Sequence, residues 1–381
     1  MRRSIIEEKN IDGSRLTFLR ELYGYTLKDV ANYLDVTPSY LSQLEKNKRK
    51  INFSFVMNAS KFYNVPHIFL LSKENIPDTD GAIFFRKKAV VTRKSQKQAI
   101  QKARLYGYLE EKFSSYFRLD YFQFPKYSNE NFNFKLTDYD YIDHVAHEIR
   151  KEFNLGIGPI SNATLLVERL GIRVAFADLS SYGIDAVTVK INRHFIILLN
   201  SEITSSVRIR FNIIHELGHI LLHSSYSTND INNSNNHRRI ESEADHFAGV
   251  LLMPEEGLAI DMQYTNMEYL KSLKKHWLVS LQALIYRGNE VGLISDQQSL
   301  YLRQTIARNH WRKEEPFDNF IPIERPSLLK STLRFTNADE NNFFEKTSYQ
   351  TGIAINDIIK ILNLESDKSK TTNNLNFHII K

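Results

Sequence analysis

The stretch FNIIHELGHILLH, residues 211–223, places two histidines and a glutamate within an otherwise apolar segment. His215 and His219 are four residues apart, so a helix presents both imidazoles on one face. Glu216 lies about 100° around that helix, where it is suited to contact a water rather than the ion held by the histidines. Because buried imidazoles need partners for their ring nitrogens, the segment predicts a buried helix with the His-Glu-x-x-His pattern of a zinc site, in which Glu216 acts as general base.

A hydrolytic zinc site needs a third protein ligand and an open position for water, and the chain has no cysteine to supply that ligand. Downstream, RRIESEADHFAGVLLMP (238–254) predicts an amphipathic helix that carries Glu241 and Glu243. Two positions apart, these carboxylates point to nearly opposite sides of a helix, so only one of them can be a ligand. We place Glu243 first and Glu241 second. His223, about 6 Å further along the axis from His219, comes third.

Four sequence blocks, in this order, resemble the ImmA/IrrE family of metallopeptidases. They are AHEIRKEFNLGIGPISN (146–162), RIRFNIIHELGHILLH (208–223), ESEADHFAGVLLMP (241–254) and HWLVSLQALIYRGNEVGLIS (276–295). The resemblance implies a zinc metalloendopeptidase in which Zn²⁺ is held by His215, His219 and Glu243, with Glu216 catalytic. It also implies a protein substrate, often a transcriptional repressor. The residue that donates a hydrogen bond to the oxyanion is not assigned, and Tyr286 and Arg287 are the candidates.

The N-terminal quarter shows short amphipathic segments joined by tight turns. Thr26 is suited to cap the segment LKDVANYL, and Asp35 and Val36 form a turn after it. Thr37 then caps PSYLSQLEK, with Pro38 at the first helical position. A helix, a tight turn and a second helix with a polar outer face predict a helix-turn-helix unit.

This N-terminal unit resembles the five-helix DNA-binding domain of the XRE family, and VTPSYLSQLEKNKRK (36–50) resembles the region of its recognition helix. Asn47 stands where that family more often has Gly, and Asn also tolerates the left-handed conformation. The resemblance implies that the helix enters the major groove of double-stranded operator DNA. The residues that it assigns to DNA contact are Thr37, Ser39, Tyr40, Gln43, Lys46, Lys48 and Arg49. A helix-turn-helix reads one half-site, so a homodimer is expected.

Charge is unevenly distributed along the 381 residues. The first 120 residues hold 22 Lys and Arg against 13 Asp and Glu, whereas the chain as a whole is +6. A basic N-terminal third fits a polyanionic partner. No run of residues approaches the roughly 18 apolar residues of a membrane span, and the N-terminus lacks the apolar region of a secretory signal. These features predict a cytoplasmic chain with no membrane partner.

The pattern predicts a mainly α fold of the α+β class. We expect a helix-turn-helix domain at 1–72, a basic helical connector at 73–140, a peptidase domain at 141–296 and a C-terminal helical extension at 297–381. A small antiparallel sheet is expected from GIRVAFADL, DAVTVKIN and HFIILLN, within residues 171–200. The edge strand of such a sheet often binds an extended peptide by strand addition, so the cleft should lie between these strands and helix 207–223.

Two functions fit these features. In the first, the chain is a DNA-binding transcriptional regulator whose zinc-dependent endopeptidase domain cleaves a partner, such as a repressor, or the chain itself. In the second, the peptidase-like domain is a non-catalytic module that senses an effector or mediates an interaction. The complete set of His215, Glu216, His219 and Glu243 favours activity, because a sensing module has no need of the general base.

Overall fold

A computed structural model describes residues 11–87, 91–119, 138–192, 194–227, 230–231, 233–336 and 339–365. The N-terminal segment MRRSIIEEKN and residues 120–137 of the expected connector lie outside these ranges. The fold is mainly helical with one small sheet, as the sequence predicts. Among the described residues, no helix combines the length and the apolar composition that crossing a membrane requires.

Five helices form the N-terminal unit: α1 (Ser14–Leu22), α2 (Leu27–Tyr33), α3 (Pro38–Glu45), α4 (Phe53–Tyr63) and α5 (His67–Leu71). The predicted caps are present, since the Thr26 hydroxyl accepts from Asp29 N and the Thr37 hydroxyl accepts from Tyr40 N. These bonds satisfy main-chain N–H groups that a helix leaves free at its start. The start of each of these two helices is thereby fixed.

The end of α3 is tied to the start of α1. Asn47 adopts the left-handed conformation with a φ of 56°, as expected for the residue that replaces glycine. Its side-chain oxygen accepts from Gly13 N at 2.7 Å, and buried Glu45 forms a bidentate pair with Arg20 at 2.7 and 2.8 Å. A Cβ at Gly13 would lie 1.9 Å from Leu44 O, so the two helices approach too closely for any side chain there.

The segment that follows holds strand β1 (Asp80–Lys87) and the long helix α6 (Arg93–Phe117). The helix packs against α1, where Lys97 Nζ and Gln101 Nε2 both bind the Glu21 carboxylate. The strand does not stay within a connector, because it joins the sheet formed by residues of the predicted peptidase domain. The connector is therefore part helix and part edge strand.

The sheet also contains β2 (Arg173–Ala177), β3 (Ile184–Ile191) and β4 (His194–Asn200), in the order β1-β3-β4-β2. The predicted antiparallel sheet is corrected here to a mixed one: β1–β3 and β3–β4 are antiparallel, but β2 and β4 are parallel. The reason is that β3 is already paired on both sides, with β1 and with β4. Strand β2 therefore pairs with the remaining edge of β4. All residues of β4 are buried, which explains its continuous apolar run.

The remaining helices surround the sheet or continue towards the C-terminus. Before the sheet and beside it lie α7 (Tyr139–Glu152), α8 (Ala163–Arg169) and α9 (Ser206–Gly218). A π-helical turn spans His219–His223. After it come α10 (Ser234–Leu252), α11 (Glu255–Asp261), α12 (Met267–Trp277), α13 (Leu281–Glu290), α14 (Asp296–Arg308), α15 (Leu328–Phe335), α16 (Glu340–Thr351) and α17 (Ile355–Ile361). Gly352 ends α16 and separates it from α17.

Candidate metal centre and DNA-facing helix

Helix α9 is buried between the sheet and α10, as its apolar composition predicts. His215 and Glu216 are fully buried and His219 is 1% exposed. Gly218 faces α10, where an added Cβ would lie 3.0 Å from the Phe247 ring and 3.3 Å from Ala244 Cα. Glycine at this position therefore allows α9 and α10 to cross closely, which brings the carboxylates of α10 to the histidines.

Three side chains direct potential ligand atoms towards one another: His215, His219 and Glu241. Their ligand atoms all lie within 4.8 Å of one another. His215 Nε2 is 3.6 Å from Glu241 Oε2, and His219 Nε2 is 3.4 Å from Glu241 Oε1. Two imidazole nitrogens and one carboxylate are a donor set that binds zinc with a further position open.

The outer nitrogens of both histidines are held by other side chains. His215 Nδ1 lies 2.8 Å from Asp245 Oδ1. His219 Nδ1 lies 3.0 Å from His223 Nδ1, and His223 Nε2 lies 2.9 Å from Glu243 Oε2. Such outer contacts orient metal-binding imidazoles and leave each Nε2 directed at the same point.

Glu243, the expected third ligand, is not brought to the histidine pair. Its carboxylate binds His223 and also accepts from Arg239 Nε at 2.5 Å. Glu241 occupies the position beside His215 and His219 instead, because residues two apart on α10 face different directions and α10 packs with Glu241 towards the histidines. His223 likewise lies behind His219 rather than beside the ligand atoms.

The protonation of His219 and Glu241 suits metal binding. Burial lowers the pKa of His219 to about 4, so this imidazole is neutral at neutral pH. Burial raises the pKa of the Glu241 carboxyl, but hydrogen bonds to His215 and His219 outweigh that effect and hold it well below its usual range. A neutral imidazole and an ionised carboxylate are the forms that bind a metal ion.

Glu216 lies beside the cluster without joining it. Its Oε2 accepts from the Thr188 hydroxyl of β3, while its Oε1 is buried and has no hydrogen-bond partner among the described residues. Complete burial raises the pKa of this carboxyl above its usual value. An unpartnered, poorly solvated carboxylate oxygen is suited to accept a proton from water at the open position, so the residues present fit a zinc centre.

Two residues of β1 lie over the cluster, and the sequence alone did not identify them. The Phe84 ring stacks on His219, with centroids 4.6 Å apart and planes 7° from parallel. Arg86 Nη1 lies 3.2 Å from both ring nitrogens of His215 and 3.4 Å from Glu241 Oε2. A signal in the sequence that could have identified them is the charged Arg86 in the apolar segment AIFFRK. It lies two positions after Phe84, and so on the same side of a strand.

The two candidates for an oxyanion donor differ in their surroundings. Arg287 is buried, and its guanidinium donates to Met253 O at 3.2 Å and to Glu290 Oε2 at 2.6 Å. Tyr286 is 60% exposed. The contacts of Arg287 therefore indicate that it joins α13 to the end of α10, and Tyr286 stays a prediction.

The residues expected to contact DNA lie on α3, at its N-cap and in the segment directly after it. Thr37, Ser39, Lys46, Lys48 and Arg49 are exposed, and Tyr40 and Gln43 are partly exposed. The Arg49 guanidinium lies 5.2 Å from the centre of the Tyr40 ring. Leu41 and Leu44 point inward and are fully buried, so the polar face of the helix remains available to a partner.

Outside the cluster, His246 joins three helices through charge. Its Nε2 lies 2.6 Å from Asp143 of α7 and its Nδ1 lies 2.6 Å from Glu290 of α13. Burial alone would lower the pKa of His246, but the two carboxylates outweigh it and raise the pKa to about 9. The charged imidazole therefore stabilises the fold.

We expect this stabilisation to depend on pH in a defined direction. Because the folded pKa lies above the unfolded value of about 6.5, the contribution is complete below about pH 6.5 and is lost as the pH rises through 9. The difference in Tm between the wild type and His246→Gln should thus shrink from pH 6 to pH 10. A constant difference would contradict the charged state.

Family models match two segments of the chain. Residues 167–289 match a peptidase family model described as the IrrE N-terminal-like domain, and residues 18–70 match a helix-turn-helix model. The first segment contains β2 to β4, α9 and α10, and the second contains α2 to α4. The chain is thus a fusion of a helix-turn-helix unit with an IrrE-like domain. No curated protein matches the chain.

Proposed function

We propose that this chain is a DNA-binding transcriptional regulator, located in the cytoplasm, whose IrrE-like domain is a zinc-dependent endopeptidase. The observation that carries the proposal is the convergence of His215 Nε2, His219 Nε2 and the Glu241 carboxylate beside the unpartnered Oε1 of Glu216. The helix-turn-helix unit supports a DNA partner. The substrate is a protein, with a transcriptional repressor as the first candidate.

Zinc held by His215, His219 and Glu241 would lower the pKa of a water and polarise the carbonyl of the peptide bond to be cleaved. Glu216 Oε1 accepts a proton from that water, whose oxygen adds to the carbonyl carbon. The same carboxyl then delivers the proton to the leaving nitrogen as the C–N bond breaks. Thr188 holds the second oxygen of Glu216 and so fixes the direction of the first.

A library of proteome-derived peptides tests the enzymatic part directly, because it needs no known substrate and no other protease is present. The purified wild type and the Arg86→Ala variant are each incubated with zinc or with a chelator. In the variant, the shortened side chain no longer contacts His215 and Glu241. Mass spectrometry then identifies new peptide ends. Zinc-dependent cleavage by either protein supports the proposal, and zinc-loaded proteins that both leave the library intact would overturn it.

The DNA-binding part predicts different consequences for two residues near the exposed face of α3. Once a preferred sequence has been selected from random DNA, Gln43→Ala should lose about 1–3 kcal/mol of discrimination at one base pair. Lys48→Ala should weaken binding to all sequences and reduce the salt dependence by about one phosphate contact. The matched control is Lys61→Ala, on the exposed side of α4.

Fluorescence anisotropy at several salt concentrations measures both effects. Binding as a homodimer would appear as a paired half-site in the selected DNA. Equal losses for Lys48→Ala and Lys61→Ala would contradict the assignment of α3 as the helix that faces DNA.

A further inference from the structure

We propose that β1 is an internal pseudosubstrate, meaning a segment of this chain that lies where a peptide to be cleaved would bind. The groove that it fills runs between β3 and α9. From its occupant we infer the substrate class: an extended peptide with an aromatic residue two positions before a basic one. The inference deepens the proposed function. It rests on that function in one respect, namely that a peptide bound in place of β1 would be hydrolysed.

The position of β1 is the first step of the argument. It is the edge strand next to the cluster and runs antiparallel to β3, with Phe84 opposite Thr188 and Arg86 opposite Ala186. Thr188 is also the residue that holds Glu216. A peptide that adds to β3 by main-chain hydrogen bonds needs the same edge, so it cannot bind there while β1 is paired.

The side chains of β1 supply the second step. Phe84 and Arg86 point to the same side of the strand, because they are two residues apart. Phe84 stacks on His219, and Arg86 contacts His215 and Glu241. The strand therefore crosses above the ligand atoms and directs one side chain to each histidine.

Charge explains why the groove takes a basic residue. Arg86 Nη2 lies 3.0 Å from Asp245 Oδ1, and Arg86 Nη1 lies 3.4 Å from Glu241 Oε2. A basic side chain at this end of the groove therefore has two carboxylates within reach of its guanidinium or ammonium group.

The interrupted pairing of β1 is the third step of the argument. The β1–β3 register is interrupted between Asp80 and Phe84 and again between Arg86 and Lys87, whereas β3 and β4 pair without interruption over six positions. Ala82 and Phe84 join a small apolar cluster with Tyr226, Ile231 and Ile240, while Ile83 and Phe85 pack against a larger core. An edge strand with an interrupted ladder is displaced more easily than a central strand such as β3, which is paired on both sides.

Peptide binding to the full-length protein tests the proposal without any need for hydrolysis. The probe is a fluorescent synthetic peptide of the β1 sequence DGAIFFRK, residues 80–87. Three proteins carrying Glu216→Gln are compared: the parent, a Phe84→Ala/Arg86→Ala double variant, and an Asp80→Ala control at the exposed start of the strand. Circular dichroism and DNA binding verify that each protein is folded.

The double variant should bind the peptide at least about tenfold more tightly than the parent or the Asp80→Ala protein. Its β3 amides should exchange with deuterium at least about tenfold faster, and the peptide should restore their protection. Peptides with alanine in place of the first or second required side chain, DGAIAFRK and DGAIFFAK, should bind about tenfold more weakly than DGAIFFRK.

The proposal would be overturned by β3 amides that stay protected in the double variant, or by peptide binding no tighter than in the parent. Failure of the proposed peptidase gives a different pattern. Tight peptide binding with no hydrolysis by any protein that retains Glu216 would support the groove as a peptide-binding site and contradict the peptidase activity. Equal hydrolysis of library peptides with and without the β1 substitutions would support the peptidase activity and contradict the role of β1 as a pseudosubstrate.

Discussion

Replacement of Glu241 by Gln is expected to weaken zinc binding by more than about 100-fold, whereas Glu243→Gln should cost only about tenfold. The difference follows from position. Glu241 contributes an ionised oxygen to the cluster with His215 and His219. Glu243 acts through His223, which in turn contacts the outer nitrogen of His219. Losing a ligand removes a bond to the metal, while losing an outer contact removes only the orientation of a ligand.

Competition with a chromogenic zinc chelator measures both affinities, and elemental analysis gives the metal content of each purified protein. His215→Ala serves as the reference for loss of a ligand. The Glu243→Gln substitution keeps a side chain of equal size next to His223, so circular dichroism should show an unchanged fold. If Glu243→Gln lost zinc while Glu241→Gln kept it, the ligand set read from the sequence would be restored.

This pair of residues shows where sequence reasoning about the site ends. Helical periodicity brings His215 and His219 to one face and separates Glu241 from Glu243 without reference to any other part of the chain. It does not say which face of α10 meets α9. That rotation depends on contacts such as the approach of Gly218 to Phe247 and Ala244, which join distant parts of the chain.

The position of strand β1 over the cluster was beyond prediction for a related reason. Arg86 is 129 residues away from His215 in sequence, and nothing in the pattern AIFFRK specifies which strand it pairs with. The helix-turn-helix unit was accessible, by contrast, because caps such as Thr26 and Thr37 act within three residues. The prediction that all strands would be antiparallel was wrong, since β2 skips its neighbour in sequence and pairs with β4.

Replacement of Glu216 by Gln should abolish hydrolysis, with a loss of roughly 10²- to 10⁴-fold in kcat, while zinc binding and DNA binding remain. The substitution keeps the size of the side chain, and the new amide oxygen can still accept from the Thr188 hydroxyl, so α9 and the cluster should be undisturbed. It cannot take a proton from water, because an amide oxygen is far less basic than a carboxylate. The rate is measured by mass spectrometry on the library peptides whose cleavage depends on zinc.

The same variant separates the peptidase from a sensing module. If the domain acts by cleavage, regulation of the operator should fail in cells that carry Glu216→Gln, even though the protein binds zinc and DNA as the wild type does. If the domain only senses an effector, a reporter gene should respond normally. Thr188→Val is the matched comparison: it frees the second oxygen of Glu216 but keeps the carboxylate, so kcat should fall by less than in Glu216→Gln. A larger loss for Thr188→Val would mean that disturbed packing, rather than the missing base, caused both effects.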